Sequence, residues 1–161
     1  MTIDLLPVFN ITGKSLDIDY TIPAADTDEF PRIGDVHVTG VIENKTDIVT
    51  MRLVASYTLT AVCDRCAEEY SEDLDLPIEY PLILELSDER DDSYIEVPGG
   101  KLELDELVRE DIILDLPFTF LCDDDCKGLC PQCGANLNNG KCNCKKPVDP
   151  RLSALLDFSD Y

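Results

Sequence analysis

Apolar and polar positions alternate most clearly between Ile48 and Val62. Leu53, Ala55, Tyr57, Leu59 and Ala61 fall on one side, and Val54, Ser56, Thr58, Thr60 and Val62 on the other. That period of two predicts a long β-strand with one buried face. A second strand is predicted over Val36 to Glu43, with a turn at Asn44 to Asp47. Strand-like sequence resumes through Tyr70, Leu74, Leu76, Ile78 and Tyr80 to Leu86, so Cys63-Asp64-Arg65-Cys66 reads as the tip of a β-hairpin. Residues 1 to 34 alternate weakly, through Leu16, Ile18, Tyr20 and Ile22. They read as an opening strand or two and an acidic loop.

The period then changes. Leu107, Val108 and Ile112 form an apolar stripe on a helix predicted from about Asp105 to Leu114, and Pro117 stops it. A very acidic loop, Ser87 to Ser93, precedes that helix. Asp149-Pro150-Arg151 places an N-cap acid before a proline at the first helical position. Leu152, Leu155 and Leu156 follow at helical spacing, predicting a short amphipathic helix docked on the body. The expected architecture is mainly β (α+β): an antiparallel β domain over 1–121 with one principal helix, then a cysteine-rich zinc ribbon over 122–161.

Composition narrows the class of function. Thirty-four acids face thirteen bases, a formal charge of −21 in 161 residues. Such a balance repels phosphate backbones and favours basic partners. The charge is unevenly spread: Cys126 to Arg151 holds five bases and one acid, a net +4, leaving −25 for the remainder. Two charges from zinc against four thiolates would lower that segment to about +2, enough for weak RNA contact only. No stretch approaches the ~20 apolar residues of a membrane span. The beginning, MTIDLLPVFNITGK, carries an acid and no basic region, so a secretory leader is not expected and a cytoplasmic location is.

A reducing compartment turns the eight cysteines toward metal and away from disulfides. Cys130-Pro-Gln-Cys133-Gly134 is a turn that aims two thiolates at one point, and Cys142-Asn-Cys144 supplies two more if the backbone bends near Asn138-Asn139-Gly140. Cys63, Cys66, Cys122 and Cys126 make a second set of four, provided the helix returns the chain to the hairpin tip. The competing partition joins Cys126 to Cys130 and Cys133. Two zinc ions are expected. Cys63 and Cys66 lie between strands, not at the helix N-terminus that activates a redox thiol. His37, the single histidine, stands in a strand without a nucleophile beside it and reads as structural. With no phosphate loop, metalloprotease motif or serine elbow, an enzyme is not expected.

These motifs in this order resemble the YceD family, named for large ribosomal RNA subunit accumulation. The resemblance rests on Cys63-Asp-Arg-Cys66, Glu110-Asp-Ile-Ile-Leu-Asp-Leu-Pro117, Cys126-Lys-Gly-Leu-Cys-Pro-Gln-Cys-Gly134, Asn136-Leu-Asn138 and Asp149-Pro-Arg151, and covers about Val36 to Leu156. It implies a non-catalytic role in making or stabilising large-subunit ribosomal RNA. It also implies a partner, since family members occur near the gene of a small basic large-subunit ribosomal protein. The expected function is therefore a ribosome-biogenesis adaptor that binds such a protein or the pre-ribosomal large subunit. The alternatives are a direct RNA-binding ribbon and a thiol-based redox or zinc-sensing regulator.

Overall fold

The structure is a computed structural model that describes residues 1–25, 30–85 and 94–144. Its architecture is mostly antiparallel β, in the order β1 (Thr2–Asp4), α1 (Leu6–Phe9), β2 (Ser15–Ile22), β3 (Arg32–Ile33), β4 (Val36–Lys45), β5 (Ile48–Val62), β6 (Glu69–Ile83), β7 (Ile95–Glu96), β8 (Lys101–Glu103) and α2 (Leu104–Asp115). The main sheet runs β2-β4-β5-β6-β7, and β3 continues the edge of β5 beyond the reach of β4. A small ribbon of β1 and β8 stands apart from it. The predicted acidic loop at 87–93 and the helix at 149–156 lie outside the described residues.

The alternation along β5 does what its period dictates. Val49, Met51, Leu53, Ala55, Tyr57, Leu59 and Ala61 are all buried. All but Ala61 meet Leu104, Val108 and Ile112 of α2 in one core with Val36, Val38 and Ile42 of β4. The opposite face is polar and paired across strands: Ser56 donates to Asp75 at 2.6 Å, Thr58 to Asp73 at 2.6 Å, and Arg52 to Glu79 at 2.8 Å. These pairs sit directly opposite in the β5–β6 register, which runs unbroken from Val49 against Leu82 to Val62 against Glu69. Cross-strand pairing of this kind pins a register that the buried face already demands.

Two prolines limit β6. Pro77 and Pro81 lie four residues apart, an even number, so the donors they lack would face one edge. That edge meets β7 only at Leu82 and Ile83. Proline is tolerated where no partner strand needs an N–H.

The turn predicted at 44–47 is narrower than the sequence suggests. Asn44 and Lys45 belong to β4, and the reversal uses only Thr46 and Asp47, at φ 52° and 65°. A two-residue hairpin with both centres at positive φ matches the right-handed strand twist. Asn44 is instead almost wholly buried, and its amide donates to the carbonyls of Val8 and Phe9 at 2.9 and 3.2 Å. It thus satisfies the open end of α1, a one-turn helix absent from the sequence reading. No helix among the described residues is long and apolar enough to cross a membrane.

Candidate metal centre

The β5–β6 hairpin closes with Cys63-Asp64-Arg65-Cys66. Ala67 returns its N–H to the Cys63 carbonyl at 2.8 Å, and it does so at φ 57°. Cys130-Pro131-Gln132-Cys133 repeats the device, with Gly134 at φ 72° donating to the Cys130 carbonyl at 2.8 Å. The left-handed residue after each second cysteine turns the chain so that both sulfurs point inward. Glycine takes that conformation freely, whereas alanine adopts it at a cost.

Each turn finds a second pair of sulfurs. Cys63, Cys66, Cys122 and Cys126 hold all four Sγ atoms within 4.8 Å of one another, and so do Cys130, Cys133, Cys142 and Cys144. Within the first set, Cys63 lies 3.8 Å from Cys126 and Cys66 lies 3.7 Å from Cys122. A disulfide requires about 2.05 Å. The edge of a tetrahedron with metal–sulfur distances of about 2.3 Å is roughly 3.8 Å. The spacing therefore fits four thiolates around one ion. The competing partition, Cys126 with Cys130 and Cys133, is not the one brought together.

The hairpin tip recruits Cys122 and Cys126 through the two residues between its own cysteines. Asp64 donates its N–H to the Phe120 carbonyl at 2.8 Å, and its carboxylate accepts the Phe120 N–H at 2.8 Å. Arg65 donates from Nη1 to the carbonyls of Asp124 and Cys126, at 2.9 and 3.2 Å. Its own carbonyl accepts the Leu129 N–H at 3.0 Å. Between the recruited cysteines, Asp123 accepts the Asp125 N–H at 2.7 Å, and its carbonyl accepts the Cys126 N–H at 3.0 Å. That tight turn lets ligands four residues apart converge.

Environment divides the sulfurs. Cys63, Cys66, Cys126 and Cys130 are buried, while Cys122, Cys133 and Cys144 are exposed. Backbone N–H groups of Cys133 and Gln132 aimed at Cys130 bring its thiol down to about 6. Burial raises Cys63, but N–H groups of Cys122, Cys66 and Arg65 outweigh it and also leave that thiol at about 6. Although its residue is exposed, desolvation of its sulfur together with hydrogen bonding to Cys126, Cys63 and Cys66 pushes Cys122 up to about 12. Hydrogen bonding of the Cys144 thiol to Cys133 pushes Cys144 up to about 12. Four neighbouring sulfurs cannot all ionise unaided, because like charges disfavour one another. A dication at the centre of each set removes that conflict.

The sequence identified the eight cysteines but missed three supporting residues. Asp64 and Arg65 look like arbitrary turn residues until their partners at 120, 124, 126 and 129 are known. Asn138 donates from Nδ2 to the Cys126 sulfur at 3.2 Å and accepts the Lys127 N–H at 2.7 Å. A sequence signal existed for it: a turn-forming asparagine inside a loop that also contributes metal ligands.

Comparison with known proteins supplies the remaining context. The family model described as large ribosomal RNA subunit accumulation protein YceD matches residues 51–159, from near the start of β5 past both cysteine sets. The chain is 28% identical over 149 residues to the chloroplastic YCED homolog 1 of Arabidopsis thaliana, covering 74% of this chain and 46% of that protein. It is 24% identical over 149 residues to the uncharacterized protein YlbN of Bacillus subtilis, covering 88% and 87% respectively. Against the uncharacterized protein Rv2926c of Mycobacterium tuberculosis it is 32% identical over 68 residues, covering 42% of this chain and 33% of the relative. The chain thus spans less than half of the Arabidopsis and Mycobacterium tuberculosis proteins. No solved structure matches. By the family match across these motifs, the chain belongs to the YceD family of large ribosomal RNA subunit accumulation proteins.

Proposed function

We propose that this chain is a non-enzymatic, zinc-stabilised factor that supports accumulation of large-subunit ribosomal RNA by holding a basic ribosomal protein or the nascent large subunit. The observation that carries the role is the family match over residues 51–159. The name of the Arabidopsis relative points the same way.

Zinc is the metal best suited to the two cysteine sets. It favours tetrahedral thiolate coordination and brings no redox chemistry of its own. Cys63, Cys66, Cys122 and Cys126 would hold one ion, and Cys130, Cys133, Cys142 and Cys144 the other. Four protein ligands leave no coordination position for water or substrate, which supports a structural role. The segment after Cys126 is then a C-terminal zinc ribbon, folded around its ion and sharing little of the β core.

The charge map supports a basic protein partner. A body carrying −25 without its +4 segment repels nucleic acid and attracts cationic surfaces, from a cytoplasmic location and with no membrane contact. The acidic loop of Asp88, Glu89, Asp91 and Asp92, which lies outside the described residues, is the proposed steering surface. The five bases between Cys126 and Arg151 favour the second reading, a ribbon that touches RNA directly.

Capture of partners by the tagged full chain from cell lysate, with and without ribonuclease, tests the proposal. A basic large-subunit ribosomal protein retained after ribonuclease, and lost as salt rises, is the expected result. Recovery only of ribosomal RNA would move the binding surface to the ribbon. Zinc released and regained on mild oxidation and reduction, with no ribosomal partner, would favour a redox or zinc-sensing regulator.

A further inference from the structure

Resting on the metal-binding reading above, we propose that the two cysteine sets form one coupled unit, with Asn138 as the positioning residue through which the second set tightens metal at the first. The chain between the sets is short: Cys126 belongs to the first and Cys130 to the second. Residues 136–138, from the loop between Cys133 and Cys142, close back on that connector. Leu137 donates its N–H to the Gly128 carbonyl at 2.9 Å, and Leu129 pairs with Asn136 in an isolated antiparallel bridge. Asn138 completes the grip with its two bonds, one to the Lys127 N–H and one to the Cys126 sulfur.

The bond to sulfur carries the coupling. An N–H donated to a metal-bound thiolate offsets its negative charge and fixes its direction, and partners of this kind commonly alter metal affinity by roughly 10- to 100-fold. Asn138 has its place only while its loop is folded, and that loop is bracketed by Cys133 and Cys142. Filling the second set therefore organises a hydrogen bond at the first. Gly128 lets the connector lie against the hairpin tip of the first set: a β-carbon there would stand 2.8 Å from the Arg65 carbonyl oxygen, at φ 68°. Because coupling between two binding events is reciprocal, metal at the first set must favour the second equally.

Native mass spectrometry of the full chain loaded with zinc, under graded chelator, counts the ions retained. Alkylation of freed thiols, located by peptide mass spectrometry, then shows which set has emptied. Asn138→Asp keeps the acceptor for Lys127 but faces the Cys126 thiolate with a carboxylate. It is expected to empty the Cys63, Cys66, Cys122 and Cys126 set at roughly 10-fold less chelator. Asn138→Ala should fall the same way. The double change Cys142→Ser and Cys144→Ser should weaken the first set similarly, and adding Asn138→Asp to it should do nothing more. First-set retention equal to wild type in Asn138→Asp, or effects that simply add, would overturn the coupling while leaving metal binding intact. A wild-type chain that holds no ion would overturn the metal reading and the coupling with it.

Discussion

Asp64 and Phe120 exchange two hydrogen bonds, each 2.8 Å long, across 56 residues of chain. This clasp joins the hairpin tip to the strand of residues that follows α2, two positions before Cys122. With the Arg65 bonds to Asp124, Cys126 and Leu129, it holds the two cysteine pairs of the first set together without metal.

Asp64→Ala is expected to weaken metal at the first set by roughly five-fold, corresponding to about 1 kcal/mol for one partly exposed hydrogen bond. Asp64→Asn keeps an oxygen acceptor and should stay near wild type. Chelator competition on the full chain separates the two. Equal weakening in both variants would show that charge, not the hydrogen bond, matters at this position.

Ala67 and Gly134 occupy equivalent places after the two turns, at φ 57° and 72°. Ala67→Gly is expected to stabilise the folded chain, or at worst leave it unchanged, because relief of about 1 kcal/mol is set against a more flexible unfolded state. Gly134→Ala should destabilise by about 1 kcal/mol. Thermal melting of the metal-loaded variants gives both signs in one experiment.

The long elements were visible in sequence, and the short ones were not, for a physical reason. β5 announces itself because fifteen residues sample both faces of a sheet with one wet side. β3 and β7 are two residues each and owe their conformation to the strands they join. Asn44 was misplaced in a turn because asparagine favours turns locally, whereas here burial and the α1 carbonyls decide. The cysteine sets were readable from spacing, but partners that orient the first set come from positions 56 to 64 residues away along the chain, such as Asp64 with Phe120 and Arg65 with Leu129.

Asn44→Ala should cost about 1–3 kcal/mol, since it strands the Val8 and Phe9 carbonyls in the core. Urea unfolding followed by circular dichroism measures it. A loss below about 0.5 kcal/mol would mean that water replaces the amide without difficulty.

Metal affinity should fall as pH is lowered. Cys63 and Cys130, held down to about 6, are thiolates above that point, and their contribution is lost as pH falls through it. Cys122 and Cys144, raised to about 12, hold their protons in the metal-free chain at neutral pH and must release them to bind. Each ion bound at neutral pH therefore expels protons from these raised thiols, and the dependence steepens below about 6 as Cys63 and Cys130 also take protons. Isothermal titration in buffers of different ionisation enthalpy counts the protons. Proton release near zero at neutral pH would contradict the assigned directions.

Chelation should unfold the segment after Cys122 while the sheet and α2, with their own apolar core, survive at least in part. Structural zinc can contribute ~10 kcal/mol or more, comparable with the net stability of a whole domain. Hydrogen exchange across residues 122–144 should rise on metal removal, and Cys133→Ser should imitate it for the second set. Unchanged exchange there would show that this segment folds without an ion.

Metal content of the purified chain tests the central claim most directly. Elemental analysis combined with native mass spectrometry should return two zinc ions per chain, one for each set of four cysteines. A chain purified under reducing conditions that returns no zinc, and gains none when zinc is supplied, would contradict the account.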